Sequence, residues 1–403
     1  MTLAITTGVE LELWVIDRAG ELADGRDVAD AHPRIEREFV PCLLEVQTEP
    51  HDTEQGLRDD LHDVLRTAID RAAADGLRLV PSGTPLSEAE MAATDARGRL
   101  FEEIYGDGVV AAKNCAGSHV HFEQSHVCRQ LNVLTALDPA LSLVSASPYY
   151  RGERNLNCSR AMAYRDDCGT DFRQFCGLLP YVDGVDQWEE RTARLYEDFC
   201  TLAREAGVSE TTVREHFSPA DAVLNPVRLQ QTQPTVEWRA PDSTLPSHIV
   251  ALAVDVGSIV AQTESKPLEF GTQGGTDDRV GGTGDHFAGI SGHVGVTDDS
   301  VVVPKFETVR RLSRLAIRSG CHQERVEQFL RAMGFDVEKY EPLSPHIGGE
   351  AVLSSGGARR ERRSQSQRLE RDIQALRDRR ASDPLRCPQV SCAPTHPPSS
   401  TIR

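Results

Sequence analysis

The chain has 403 residues, 39% of them hydrophobic and 26% charged, enough to bury a large core. No apolar run approaches the roughly 18 residues of a membrane span, and the first residues lack a basic region followed by a long apolar stretch, so a cytoplasmic chain without a secretory leader is expected. A net charge of −18 argues against general nucleic-acid binding, and the lysine-poor surface (only Lys113, Lys266, Lys305 and Lys339) points to a halophilic cytoplasm.

Leu3 to Ile16 reads as a strand, because Gly8-Val9-Glu10-Leu11-Glu12-Leu13-Trp14 alternates apolar and acidic residues. A short segment near Ala29 to Phe39 and a second strand over Leu43 to Thr48 follow. Asp52 to Ala74 carries Leu57, Leu61, Val64, Leu65 and Ile69 at helical steps, with Asp52 or Thr53 as the cap. Leu77 to Pro81 is a short strand ending in a Pro-Ser-Gly turn. Ala116 to Glu123 holds Ser118-His119-Val120-His121-Phe122-Glu123. Val127 to Ser147 has helical spacing broken at Asp138-Pro139, where proline starts a second helix. Pro148 to Arg165 reads as a long arginine-rich loop.

Trp188 to Ala206 reads as a helix, Thr235 to Arg239 as a fourth charged strand, and His248 to Thr263 as a long apolar helix. Residues 271 to 295 are dense in Gly, Thr and Asp around His286 and His293, and no Walker pattern is present. Phe306 to Arg318 and Glu324 to Met333 form a helix pair, and Ala358 to Arg380 a solvated, helix-like stretch. These elements define a catalytic domain over 1–363 and a polar, disordered tail over 364–403. The ten cysteines form no CxxC pair and read as reduced structural thiols; Cys158, beside Ser159 and Arg160, is the one near a candidate site.

Successive side chains of a strand point to opposite faces, so Glu10 and Glu12 share a face, as do Glu45, Gln47 and Glu49, His119 and His121, and Glu237 and Arg239. One such strand is usually a solvated face. Four in one chain favour a shared floor of acids and imidazoles that takes divalent cations, because like charges stacked on one face repel and folding alone gives no reason to choose them. Half-polar strands interleaved with helices indicate an α+β fold, an antiparallel sheet with helices on its apolar face and the acid–histidine face as the floor of an open cleft.

In order along residues 5 to 363, these motifs resemble the carboxylate-amine ligases related to type 2 glutamate–cysteine ligase. The Gly-x-Glu-x-Glu strand is matched by Gly8, Glu10 and Glu12, and the Glu strand leading to Thr and Pro by Glu45, Thr48 and Pro50. The Gly-Thr turn is matched by Gly83-Thr84, and the His-Val-His strand by His119-Val120-His121. Ser147-Pro148-Tyr149 with Gly152 and Ser159-Arg160 resembles the Ser-Pro-aromatic loop that leads to Gly and later Ser-Arg, Glu237, Arg239 and Asp242 the Glu-x-Arg strand with its following Asp, and Gly357-Ala358-Arg359 the closing motif.

The resemblance implies a glutamine synthetase/guanido kinase-like catalytic domain with a curved antiparallel sheet. It also implies ATP with Mg²⁺ or Mn²⁺, and an amide bond formed from an acyl phosphate, with glutamate and cysteine as the leading pair of substrates. The expected partners are small molecules, with neither nucleic acid nor membrane, and a homo-oligomer is compatible. Glu10, Glu12, Glu45, His119 and Glu237 are the expected cation ligands. Arg160 and Arg239 are the expected catalytic arginines, and Arg154 and His121 are expected to bind the nucleotide. Leu11, Leu43, Phe122 and Ala146 depart from the family pattern; Leu11 faces the core, whereas the other three keep open a catalytically silent paralogue that binds nucleotide or amino acid, and the acid–histidine face itself keeps open a metal-dependent amide hydrolase.

Overall fold

The computed structural model describes residues 1–87, 93, 95–222, 224–230, 233–271 and 294–376. Its strands as far as Trp238, in chain order, are β1 (Thr2–Ile16), β2 (Ile35–Arg37), β3 (Leu43–Gln47), β4 (His51–Thr53), β5 (Arg78–Val80), β6 (Ser118–Glu123), β7 (Tyr149–Tyr150), β8 (Glu153–Arg154), β9 (Val227–Leu229) and β10 (Thr235–Trp238), and three later strands, Leu268–Phe270, Gly295–Val296 and Val301–Val303, form a small separate sheet. The main sheet runs β2-β3-β1-β6-β10-β9, and β4 and β5 add to the ends of β1. Every pairing in it is antiparallel. β1 is long enough to take four partners along its length, and its pairing with β4 has a register irregularity between Thr2 and Thr7. The expected α+β architecture with an open antiparallel sheet is the one observed.

One face of the sheet is apolar. Val9, Leu11, Leu13, Leu44, Val46, Val120, Phe122, Val236 and Trp238 are all buried there. The Pro246–Ser265 and Glu54–Ala74 helices cover it. The first begins with proline where a missing N–H costs nothing, and it is apolar almost all round because it is enclosed. Gly257 lets it approach closely, since a Cβ there would lie 3.2 Å from the Phe122 ring. The second helix is capped by Thr53, whose hydroxyl accepts the Gly56 N–H at 3.1 Å, an interaction worth about 1 kcal/mol.

Three expectations need correction. Residues after Pro139 do not start an α-helix; Asp138–Val144 is a buried 3-10 helix. The stretch from Pro148 to Arg165 is not a loop. It holds the β7–β8 hairpin, the four-residue helix Ser159–Met162 and a π-turn over Ala163–Asp167. The C-terminal helix, Ser355–Leu376, is packed rather than solvated, so the expected boundary after 363 falls inside it.

The reason is that this helix buries its charges with partners. Arg362 donates to the carbonyls of Gly20 and Pro85 at 2.8 and 3.1 Å. Asp372 accepts the Ser247 hydroxyl and N–H at 2.5 and 2.9 Å, closing the start of the Pro246–Ser265 helix. Residues 377–403 of the expected tail, and 272–293 with His286 and His293, lie outside the described residues.

Candidate functional site

The four charged strands are neighbours. In the order β3-β1-β6-β10 their polar faces meet, and the register sets the pairs: Glu12 opposite Glu45, Glu10 opposite His119, Gly8 opposite His121, and Glu237 opposite His121. Glu10 lies at the centre. One of its oxygens is 2.9 Å from His119 Nδ1 and the other 3.0 Å from His121 Nε2. His119 Nδ1 is 3.6 Å from Glu45 and 3.8 Å from Glu237, and its Nε2 is 3.6 Å from Glu12. Thr235 Oγ1 holds His121 Nδ1 at 3.1 Å.

Three overlapping groups bring ligand atoms within 4.8 Å of one another: Glu10, His121 and Glu237; Glu10, Glu45 and His119; and Glu12, Glu38 and Glu45. All the expected cation ligands are therefore gathered, and Glu38 joins them. Glu38 went unread because it sits in the turn between β2 and β3, although Glu36-Arg37-Glu38 does alternate. Arg228 and Gln230 were also missed. Both bind Glu237 Oε2, Gln230 at 2.8 Å, while Arg239 holds Oε1. The alternation Val227-Arg228-Leu229-Gln230 carried that signal.

The cluster is not an open floor. Glu12, Glu45, His119, His121 and Glu237 are buried, and Glu10 is the most exposed of these six side chains, at 18%. Packing so many carboxylates together has an electrostatic consequence. Burial, reinforced by Glu10, Glu38 and Glu12, pushes Glu45 well above the usual carboxyl range, and burial with Glu12 raises Glu38 to about 8. Burial also works to raise Glu10 and Glu237. The two imidazoles outweigh it at Glu10, and Arg228 and Arg239 outweigh it at Glu237, so both stay well below the usual range. Burial, then Arg239, lowers His119, whereas Glu10 overcomes burial to raise His121. His119 Nε2 is buried without a hydrogen-bond partner. The crowded carboxylate oxygens fit a hard divalent cation, and the unpartnered imidazole nitrogen adds a ligand atom of borderline character beside them.

Arg239 reaches the cluster through Glu237, and Arg160 lines a small cavity with Arg239, Tyr164 and Arg165. The Arg154 guanidinium donates to the carbonyls of Ile347 and Ser344 at 3.0 and 3.4 Å and lies over the Tyr149 ring. The Cys158 thiol is fully buried and pushed well above its ordinary value by that burial, which leaves it a neutral packing group.

The departures from the family pattern sort by face. Leu11 and Phe122 point into the core. Leu43 joins Trp14, Ile16 and Val80 in an apolar cluster, anchored where Trp14 Nε1 donates to the Ser82 carbonyl at 2.8 Å. Ala146 packs with Leu86, Tyr149 and Leu245.

A family model described as Glutamate-cysteine ligase family 2 (GCS2) matches residues 6–270. A Rhodococcus jostii (strain RHA1) protein named "Putative glutamate--cysteine ligase 2-1" is 26% identical over 277 residues, 64% of this chain and 67% of that one. A Mycolicibacterium smegmatis protein named "Putative glutamate--cysteine ligase 2-3" is 30% identical over 158 residues, 36% of this chain and 43% of its own length. Among solved structures, the bifunctional glutathione synthetase from Pasteurella multocida superposes with a TM-score of 0.50 at 14% identity, covering 93% of this chain and 52% of that one. That likeness is one of fold, and the chain spans about half of the synthetase. The family match takes in more than half of the chain and includes every strand from Glu10 to Arg239 that builds the cluster, so the chain belongs to glutamate–cysteine ligase family 2.

Proposed function

We propose that the protein is an ATP-dependent ligase that joins an amino-acid carboxylate, with glutamate as the leading candidate, to an amine, with cysteine as the leading candidate. The observation that supports this most is Glu10 held between His119 and His121, with Glu12, Glu38, Glu45 and Glu237 around them and arginines at the side. Such a cluster suits a triphosphate brought in with its cations better than it suits a neutral substrate.

Glu10, Glu12, Glu38, Glu45, Glu237, His119 and His121 would hold Mg²⁺ or Mn²⁺, which when bound neutralise phosphate charge. Arg239, fixed by Glu237, and Arg160 then face anionic oxygens with planar guanidinium forks. In the reaction, a carboxylate oxygen of the acid attacks the γ-phosphorus and ADP leaves. The amine nitrogen next attacks the acyl carbon, inorganic phosphate leaves, and the nitrogen gives up a proton. The chain's part is to orient the two anions in line and to keep water from the activated acyl group. Arg154 has no role in this reading.

The test is ATP-dependent phosphate release in high salt with Mg²⁺, using glutamate with cysteine and a panel of other acid–amine pairs, beside Glu237→Gln. Release with one pair and its loss in the variant is the expected result. ATP bound but never cleaved with any pair would overturn it.

A further inference from the structure

Arg160 holds the main chain that precedes Asp242, and Asp242 holds Ser147, which in turn accepts the Arg160 N–H. Arg160 Nη1 donates to the carbonyls of Arg239, Ala240 and Pro241 at 3.3, 3.3 and 3.2 Å, the backbone that leads from β10 to Asp242. In return, Asp242 Oδ2 accepts the Ser147 hydroxyl at 2.6 Å and the Ala146 N–H at 2.9 Å. The same Ser147 Oγ accepts the backbone N–H of Arg160 at 3.1 Å, and the Ser147 carbonyl accepts Ser159 N–H at 2.7 Å.

Asp242, Ser147 and Arg160 are 1%, 0% and 8% exposed, so water does not compete for these bonds. Two glycines leave no room to shift. A Cβ on Gly83 would collide with the Asp242 carboxyl, and one on Gly117 with Arg160 Nη2.

A buried carboxylate is a costly choice for such a place. Asp242 Oδ1 is buried without a hydrogen-bond partner, and an asparagine would accept the Ala146 N–H with a smaller desolvation penalty. What the carboxylate adds is a strong acceptor for the Ser147 hydroxyl proton, which turns a serine lone pair toward Arg160 N–H. The contacts therefore do more than fill the interior.

We infer that Asp242 is a positioning residue. Through Ser147 it fixes the start of the Ser159–Met162 helix and so Arg160, and through Arg160 it fixes the exit of β10 and so Arg239. The two guanidinia are thereby kept at one separation, set for a phosphoryl or carboxylate group. The turnover readout of this inference rests on the ligase reading above; its geometry does not.

The experiment is a mutant cycle in phosphate release with Mg²⁺, using Ser147→Ala, Asp242→Asn, Arg160→Lys and the Ser147→Ala/Arg160→Lys double variant, each with a melting curve. Ser147→Ala and Asp242→Asn should each lower kcat by about tenfold or more, with the KM for ATP changed by less than about threefold. The double variant should be no slower than Arg160→Lys alone. Multiplicative losses, or an unchanged kcat in Ser147→Ala, would overturn the relay, and the serine cycle decides the matter if Asp242→Asn does not fold. Should the native protein release no phosphate with any pair, the ligase reading fails, and arginine Nε–H NMR decides the relay separately. The Arg160 resonance, identified by its loss in Arg160→Lys, should shift or broaden in Ser147→Ala. An unmoved resonance would overturn the relay.

Discussion

Glu10 of β1 sits directly across from His119 of β6, and its carboxylate joins His119 Nδ1 at 2.9 Å to His121 Nε2 at 3.0 Å. Among the described residues it is the one acid within 3.0 Å of both imidazoles, and, like Glu45, it belongs to two of the three ligand groups. Replacing it by glutamine removes the charge while keeping the shape. Mn²⁺ affinity of Glu10→Gln, followed by electron paramagnetic resonance, should fall by roughly 10–100-fold or more. Phosphate release should fall with it. Unchanged Mn²⁺ binding would remove Glu10 from the ligand set.

The raised carboxyls make stability and cation binding depend on pH. Glu38 is held at about 8 in the folded chain, whereas an unfolded glutamate titrates near about 4.3. Between those values the folded state binds the extra proton, so this contribution is fully present below about 4.3 and is lost as pH rises through about 8. The melting temperature of the metal-free protein should therefore fall as pH increases across that window. Saturating Mg²⁺ binds the ionised form and should flatten the fall, with protons released on binding, measurable by calorimetry in buffers of different ionisation enthalpy. Binding without proton release at neutral pH would contradict the assignment.

Asp60 ties three segments together. It accepts both terminal nitrogens of Arg34 at 2.6 Å, the Glu49 N–H at 2.8 Å, and lies 2.9 Å from His51 Nε2. Burial works to raise its carboxyl, but the Arg34 and His51 hydrogen bonds prevail and hold it well below the usual range. Its stabilisation is then present above about pH 3.9 and lost as pH drops through the lowered folded value. Asp60→Asn should cost about 1.5–3 kcal/mol at pH 7 in urea unfolding. The gap from the native protein should narrow steadily as pH falls below about 3.9. A gap of the same size at pH 2 as at pH 7 would show that shape, not charge, is responsible.

The C-terminal helix is expected to be part of the folding unit. Asp372 is fully buried against Ser247, so Asp372→Ala leaves the start of the central apolar helix short of an acceptor. The expected loss is about 1–3 kcal/mol. Truncation after residue 363 should be far more damaging, because it removes buried Leu369, Ile373 and Leu376 as well. A truncated chain with native melting behaviour would overturn this.

The alternation of side chains along single strands was enough to name Glu10, Glu12, Glu45, His119, His121, Glu237 and Arg239, because the pleat that sends every second side chain to one face is a local property of the backbone. Helical spacing, local in the same way, placed the apolar Pro246–Ser265 helix within two residues at either end and narrowed the cap of the Glu54–Ala74 helix to Asp52 or Thr53, of which the structure uses Thr53. Alternation did not show that the four faces converge. It missed Glu38, Arg228 and Gln230, which lie in or beside three-residue strands, too short for a period to stand out. It also took the charged Ser355–Leu376 helix for solvated because its buried partners, Gly20, Pro85 and Ser247, are remote in sequence. Which side of a strand a residue faces is settled within a few bonds. Which residue lies beside it, as with Glu10 and His119, 109 positions apart, is settled only when hydrogen bonds set the register between strands and the core holds them there.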